Sequence, residues 1–393
     1  MGHINDIGGA IFDLARAEEP ALIAVRRDLH EHPELSFQEF RTAGVVATEL
    51  ARLGIPCRTG IGGTGIVAEI HGGRPGKTLL IRGDMDALPI EERTGLSFAS
   101  TNPGLMHACG HDIHTSTLLG VAAILQRLAP EMAGTVRLMF QPAEEILGGA
   151  AAMIKEGVLD GVDMALGYHN HPDIPVGQFA AVDGANYAAC DRFDITVRGV
   201  SGHAAYPHAA IDPIVAAAHL IVSLQTIVSR EIAARDACVV TVGAIHAGTV
   251  HNIIPDSCTL LGTVRTLSIP VRAAAERAIR RQCAGTEATF RTPCDIIWNA
   301  GVPPTLNAPE ILQTSVAAIN RQLGDVFVPA ESSMGAEDFA LIAAAVPSFV
   351  LRIGSGGPGR ADALHNSAYQ PDESCIALGA AALARAAVEL LAG

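Results

Sequence analysis

Apolar positions along the chain recur at two spacings, and the spacing changes character near residue 190. Between Pro20 and His32, Leu22, Ile23, Val25 and Leu29 repeat at helical intervals, and Pro33 closes the segment. Ser36-Phe37-Gln38-Glu39 has the form of a capping box before a second helix bearing Val45, Val46, Leu50 and Leu53, with Gly54 placed to end it. His30 and His32, at the close of the first helix, are expected at the surface or as C-terminal caps. Strand-like runs follow at 65–70, 78–82, 135–140 and 164–168, interleaved with helical patterns at 111–128 and 150–156. Strand and helix in alternation predict an α/β layer fold, a mostly parallel sheet with helices on both faces.

From residue 191 the pattern becomes period-two, with Phe193, Ile195 and Val197 on one face of a strand over 191–198. A helix at 211–228, strands at 238–245 and 257–266, a helix at 270–282 and a strand at 289–298 complete a β-α-β-β-α-β order, the ferredoxin-like α+β arrangement. Gly301-Val302-Pro303-Pro304 marks a return, after which helix and strand alternate again up to a final helix over 371–391. The expected organisation is a catalytic, metal-binding domain from 1–187 and 303–393, with residues 188–302 inserted as a second domain. A length of 393 residues agrees, being too great for one ordinary core.

Charge and composition narrow the partners. A formal net charge of −14 argues against nucleic acid or an acidic membrane surface. No signal-peptide pattern opens the chain, and no apolar run reads as long enough to span a bilayer. The eight cysteines have no framework spacing, so they read as reduced thiols of a cytoplasmic protein, most of them small core residues.

The chemistry gathers around Gln141-Pro142-Ala143-Glu144-Glu145. Two adjacent carboxylates after a buried strand cost several kcal/mol unless a cation or proton offsets them. In extended backbone they point to opposite sides, so one can bind a metal while the other faces a water on it. His107-Ala108-Cys109-Gly110-His111-Asp112 supplies thiol and imidazole donors, and Gly110 frees the backbone to turn Cys109 and His111 to one point. Asp86, in Asp84-Met85-Asp86, and Asp112 are candidates to support a ligand from behind. Of His169 and His171, on opposite faces, one should reach the metal, and His365 in a late loop completes the set. Three strands thus deliver polar groups to one sheet edge, where ligands of open α/β sheets gather.

Taken together, Gly83-Asp84-Met85-Asp86-Ala87-Leu88-Pro89, His107 to Asp112, Pro142-Ala143-Glu144-Glu145, Gly199 to His208, His251-Asn252-Ile253-Ile254-Pro255, Gly335-Ala336-Glu337-Asp338-Phe339 and Leu364-His365-Asn366 resemble the M20 metallopeptidase family. Within it the chain looks like the amidohydrolase branch of hippurate hydrolases, N-acyl-amino-acid hydrolases (aminoacylases) and auxin-conjugate hydrolases. The resemblance implies two divalent ions (zinc, manganese, cobalt or nickel) held by Cys109, His111, Glu145, His169 and His365, with Glu144 as general base. It implies that 188–302 is a lid and dimerisation domain, giving a homodimer or a dimer-based oligomer. His203 would reach the partner subunit's active site and steady the oxyanion. Asn252 and Arg265 are candidates for holding a substrate carboxylate, Arg265 equally for a structural ion pair. The expected reaction is metal-dependent hydrolysis of an N-acyl amino acid. A dipeptidase or carboxypeptidase, an N-carbamoyl-amino-acid hydrolase, or a metal-dependent binding or regulatory protein on the same scaffold are the alternatives.

Overall fold

A computed structural model describes residues 2–357 and 363–392, with side chains from residue 9 onward. Asp362, beside the His365 motif, lies outside the described residues. The chain divides into two units. One comprises Met1–Gly184, Leu306–Glu331 and Asp338–Gly393, the other Ala185–Thr305 and Ser332–Glu337. The short segment 332–337 groups with the smaller unit, although its sequence position suggests the larger.

The larger unit is built on an eight-stranded sheet. Its spatial order is Cys57–Ile61, Gly65–His71, Ala133–Gln141, Arg74–Asp84, Met164–Pro175, Ser348–Gly356, Phe179–Ala180 and Phe327–Val328. The four strands from Ala133–Gln141 to Ser348–Gly356 in that order are mutually parallel. Leu79, Leu80, Ile81, Val136, Leu138, Met139 and Phe140 are all buried, the near-continuous apolar run expected of strands covered on both faces. Arg74–Asp84 is flanked by Ala133–Gln141 on one side and Met164–Pro175 on the other, so the chain leaves it in both directions. That divergence is the switch point at which α/β sheets open a crevice.

Helix His111–Leu128 starts beside this crevice. It is buried on nearly every side, packed between helices Gly2–Glu31 and Cys375–Ala392. The first helix begins well before the expected start at Pro20, which lies in its interior. A proline inside a helix costs about 3 kcal/mol, but Pro20 is exposed, and Ile11, Ala15, Leu22 and Leu29 carry one buried stripe straight past it. Among the described residues two helices, Pro213–Glu231 and Cys375–Ala392, are long and apolar enough to cross a bilayer, contrary to the sequence reading. The second has 83% of its apolar window buried in the core, and the first buries Ala216, Ala217, Leu220, Leu224 and Ile227 in its own unit.

The smaller unit has four antiparallel strands in the order Cys294–Asn299, Ala189–Arg198, Ser257–Thr266, Cys238–Ala247. Numbered along the chain this is 4-1-3-2, the ferredoxin-like order. Phe193, Ile195 and Val197 are fully buried and meet the helices Pro213–Thr226 and Ile269–Phe290. The second helix runs through Thr289 and Phe290, which the sequence suggested as strand. It stops where Arg291 turns into the left-handed region (φ 62°), and the last strand starts at Cys294.

Candidate metal centre

The strand ends set the floor of the site. Asp84 pairs with Gln141 in the parallel register, and Ile81 pairs with Leu166, which puts Asp84 and His169 (each three residues on) at one level. Past Asp84, the carboxylate of Asp86 is almost wholly buried and holds the next loop from inside. It accepts the backbone N–H of Glu144 (3.0 Å) and of Glu145 (3.1 Å), and the Ser36 hydroxyl (2.7 Å). Its Oδ1 also stands 3.3 Å from His111 Nδ1, which leaves Nε2 of that ring facing the site. Burial works against the charge of Asp86, yet the His111 and Ser36 contacts hold its pKa below the ordinary carboxylate value. Ser36 is therefore not a helix cap. The helix Phe40–Arg52 begins at Glu39, whose side chain makes no cap and is buried elsewhere.

The turn before helix His111–Leu128 depends on Gly110, whose φ is 85°. A Cβ there would stand 2.4 Å from Asn170 Nδ2, so the position is closed to side chains sterically as well as conformationally. Asn170 Nδ2 donates to the Cys109 carbonyl (2.8 Å), and Asn170 Oδ1 accepts from Ser355 Oγ (3.3 Å) and from the Tyr369 hydroxyl. The backbone N–H of His365 donates to the Ala108 carbonyl (2.8 Å), tying the late loop to the same turn.

The side chains so placed converge. Cys109 Sγ lies 3.5 Å from His169 Nε2, and Nδ1 of that ring donates to the Asn170 carbonyl (2.7 Å), which leaves Nε2 as the bare nitrogen. Donor atoms of Cys109, His111 and His169 lie within 4.8 Å of one another, as do those of Cys109, Glu145 and His365, and those of His111, Glu144 and Glu145. The first two groups share the Cys109 sulfur. Among the described residues His111 Nε2 and Glu145 Oε1 are buried without a hydrogen-bond partner, 3.8 Å apart, and His365 Nε2 is 3.5 Å from that same oxygen. Bare donors facing one point are costly unless something positive joins them. Burial pushes the Cys109 thiol well above its usual pKa, so a thiolate here also calls for a neighbouring cation. Burial above all, with the neighbouring His114 imidazole acting in the same direction, holds His169 well below the ordinary imidazole value, keeping it neutral and able to ligate. Thiol, imidazole and carboxylate donors in two groups that share a sulfur fit a pair of divalent ions.

One expected support stands elsewhere. Asp112 does not support a ligating His. It forms an ion pair with Arg26 Nε (2.8 Å), accepts the Ile113 N–H (2.9 Å), and lies 2.8 Å from His30 Nδ1. His30, expected at the surface, is fully buried and meets Glu92 through its other nitrogen at 3.2 Å. This network fastens the first helix to the helix that carries His111. His171 pairs with Asp173 at 3.2 Å and joins none of the donor groups.

In the smaller unit, His203 is exposed on a two-residue strand paired with Ile253–Ile254, and Ala204 N–H donates to the Asn252 carbonyl (3.1 Å). His203 and Asn252 are therefore neighbours. Arg265 is not with them. It lies eight residues along its strand from Ser257, roughly 27 Å at the rise of an extended chain.

Sequence reasoning passed over the supports beneath the donors. Arg82 donates to Gln141 Oε1 (2.8 Å), Asp84 (2.7 Å) and Asp338 (2.9 Å), all buried, and Asp338 also accepts Gln141 Nε2 and the Ala150 N–H. His114 bonds Asp84 through Nδ1 and accepts the Asn170 N–H at Nε2 (2.9 Å). A charged residue inside the apolar run Leu79-Leu80-Ile81-Arg82 was the available signal for Arg82.

Residues 80–389 match the profile of Peptidase family M20/M25/M40. An N-acetylcysteine deacetylase of Bacillus subtilis is 41% identical over 381 residues, covering 96% of this chain and 98% of that protein. Thermostable carboxypeptidase 1 of Saccharolobus solfataricus is 39% identical over 380 residues, covering 95% and 96%. The crystal structure of the YXEP protein of Bacillus subtilis, described as a dinuclear metal-binding peptidase of the M20 family, superposes with a TM-score of 0.87 at 38% identity, covering 96% and 99%.

Proposed function

The chain belongs to peptidase family M20/M25/M40 and is a metal-dependent hydrolase of amide bonds with two divalent ions as cofactors; from that premise we propose that it cleaves N-acyl amino acids to a carboxylic acid and a free amino acid. The observation that carries the reading is the junction of two donor groups at Cys109, with a second carboxylate, Glu144, beside them. A relative that spans nearly the whole chain and is described as a deacetylase of an N-acetyl amino acid supports the substrate class.

Cys109, His111, Glu145, His169 and His365 would hold the two ions. When bound, these supply Lewis acidity, polarising the scissile carbonyl and making water a stronger acid. Glu144, nine-tenths buried, takes the proton of the attacking water and returns it to the amide nitrogen as the C–N bond breaks. Asp86, through the two N–H groups it accepts, keeps Glu144 and Glu145 in register so that base and ligand do not exchange roles.

The smaller unit supplies the association surface. Its helix Pro213–Thr226 exposes Ile214, Val215 and Val222, and its edge strand Cys238–Ala247 exposes Val239 and Ile245. An unpaired strand edge with apolar neighbours calls for a cover, and a second copy of residues 188–302 provides one. In such a homodimer His203 would reach the partner subunit's active site and donate to the developing oxyanion, and Asn252 and Arg265 are candidates for holding the substrate carboxylate.

The test is a panel of acetyl, benzoyl and longer acyl amino acids and unblocked dipeptides, with and without added divalent ions. Ion-dependent release of the free amino acid from the acyl substrates is expected. Turnover confined to the dipeptides would overturn the proposal in favour of peptidase action, the activity in the name of the carboxypeptidase relative.

A further inference from the structure

The chain just beyond Glu145 is apolar and open to solvent, and none of the chemistry above uses it. Ile146 is 57% exposed and Phe37 is 37% exposed. The Phe37 ring lies over Gly63 and Gly148, where added Cβ atoms would stand 3.2 Å and 3.3 Å from it; Ile146 Cγ1 would be 3.6 Å from the Cβ at Gly148. Phe37, Gly148 and Ile146 thus form one shelf, joined to Glu145 by a single peptide bond.

Scattered exposed apolar residues are ordinary, but this pair is held in place against the backbone's preference. Phe37 (φ 62°), Ala143 (φ 53°) and Leu147 (φ 57°) are left-handed without being glycine, a conformation that clusters at ligand-binding sites. Glu39 clamps the two turns together. It is fully buried, its Oε1 accepts both the Phe37 N–H (3.0 Å) and the Ala143 N–H (2.9 Å), and its other oxygen is bonded by Thr64 Oγ1. A carboxylate that joins the Phe37 turn to the Glu144–Glu145 turn ties the shelf's position to that of the centre.

Neither 36–39 nor 142–149 contains Lys or Arg, so the shelf offers nothing to a substrate carboxylate and suits the uncharged half of the molecule. We infer that Phe37 and Ile146 are specificity-determining residues, the surface on which the substrate's acyl group rests, and that they set the preference among acyl groups. This rests on the N-acyl-amino-acid reading.

The experiment compares wild type, Ile146→Ser and Phe37→Asn on acetyl, hexanoyl and benzoyl derivatives of one amino acid. Asn tolerates the left-handed backbone at position 37. Each variant should lower the hexanoyl-to-acetyl and benzoyl-to-acetyl ratios of kcat/KM by about tenfold, chiefly through KM, the loss expected when most of one side chain's apolar contact is removed. Equal losses on all three substrates, or unchanged ratios, overturn the shelf while leaving the reaction standing. Absence of wild-type turnover on all three rejects the reaction, and the shelf with it, before any variant is compared.

Discussion

Replacing Asp86 by alanine separates support of the centre from support of the fold. The carboxylate has four neighbours: Glu144 N–H at 3.0 Å, Glu145 N–H at 3.1 Å, the Ser36 hydroxyl at 2.7 Å and His111 Nδ1 at 3.3 Å. Glu144 is buried, so its N–H would be stranded at a cost of about 1–3 kcal/mol. Glu145 is closer to solvent and Ser36 can turn to water, so each adds less, for a total of roughly 2–4 kcal/mol. Separately, His111 loses the partner that aims its ring, and loss of such a partner lowers metal affinity by about 10- to 100-fold, or about 1.4–2.8 kcal/mol. Thermal melts of metal-free protein read the first quantity, and competition against a chromophoric chelator reads the second. Asp86→Asn, which keeps the shape and one acceptor oxygen, should fall between wild type and Asp86→Ala in both. A lowered melting temperature with metal affinity within twofold of wild type would show that Asp86 only props the loop, and would refute the orienting role.

Glu144→Ala should still bind two metal equivalents by calorimetry but lose kcat by orders of magnitude, and wild-type turnover in that variant would remove Glu144 from the mechanism. Arg26→Met leaves the buried Asp112 carboxylate without its 2.8 Å guanidinium partner, a loss of about 3–5 kcal/mol. The pKa of His30 is raised because, although burial opposes its charge, the hydrogen bonds to Asp112 and Glu92 prevail. Protonated His30 therefore compensates the lost charge below about pH 6.5, and this relief disappears as pH rises through its raised folded value. The melting deficit of Arg26→Met should be larger at pH 9 than at pH 6, and equal deficits would exclude His30 from the network. Asp191→Ala removes the acceptor of Arg272 Nε (2.8 Å), Arg272 Nη2 (2.6 Å) and the Gly301 N–H (3.0 Å), and should destabilise the smaller unit on the order of 2–4 kcal/mol. Urea titration followed by the fluorescence of Trp298, the chain's single tryptophan and a resident of that unit, should show this as an earlier midpoint.

The legible parts of the sequence were those with strong local patterns. Leu79-Leu80-Ile81 and Val136 to Phe140 could only be buried strands, and Gly110 between Cys109 and His111 announced a turn that aims two donors. What escaped was decided by tertiary contact. Ser36 and Glu39 have the spacing of a capping box, but both bond across the site, to Asp86 and to Ala143. Asp112 follows a candidate ligand, yet its neighbours come from a helix more than eighty residues earlier. Pro20 looked like a helix start because local rules cannot weigh the buried stripe on either side of it. The strand Cys57–Ile61 was passed over since its residues are mostly exposed and carry no alternation.

The discontinuous larger unit constrains how the chain is made. Ser348–Gly356 pairs with Met164–Pro175, and the final helix Cys375–Ala392 packs on Gly2–Glu31 and His111–Leu128. A nascent polypeptide emerging from the ribosome therefore exposes the apolar sides of its first helices until the residues of Cys375–Ala392 are synthesised. Almost all of the smaller unit, Ala185–Thr305, has by then emerged as one uninterrupted stretch and can fold during synthesis. Termination before the helix Cys375–Ala392 thus strands the larger core, a product destined for chaperones or proteolysis, even though every donor of the metal centre has already been translated.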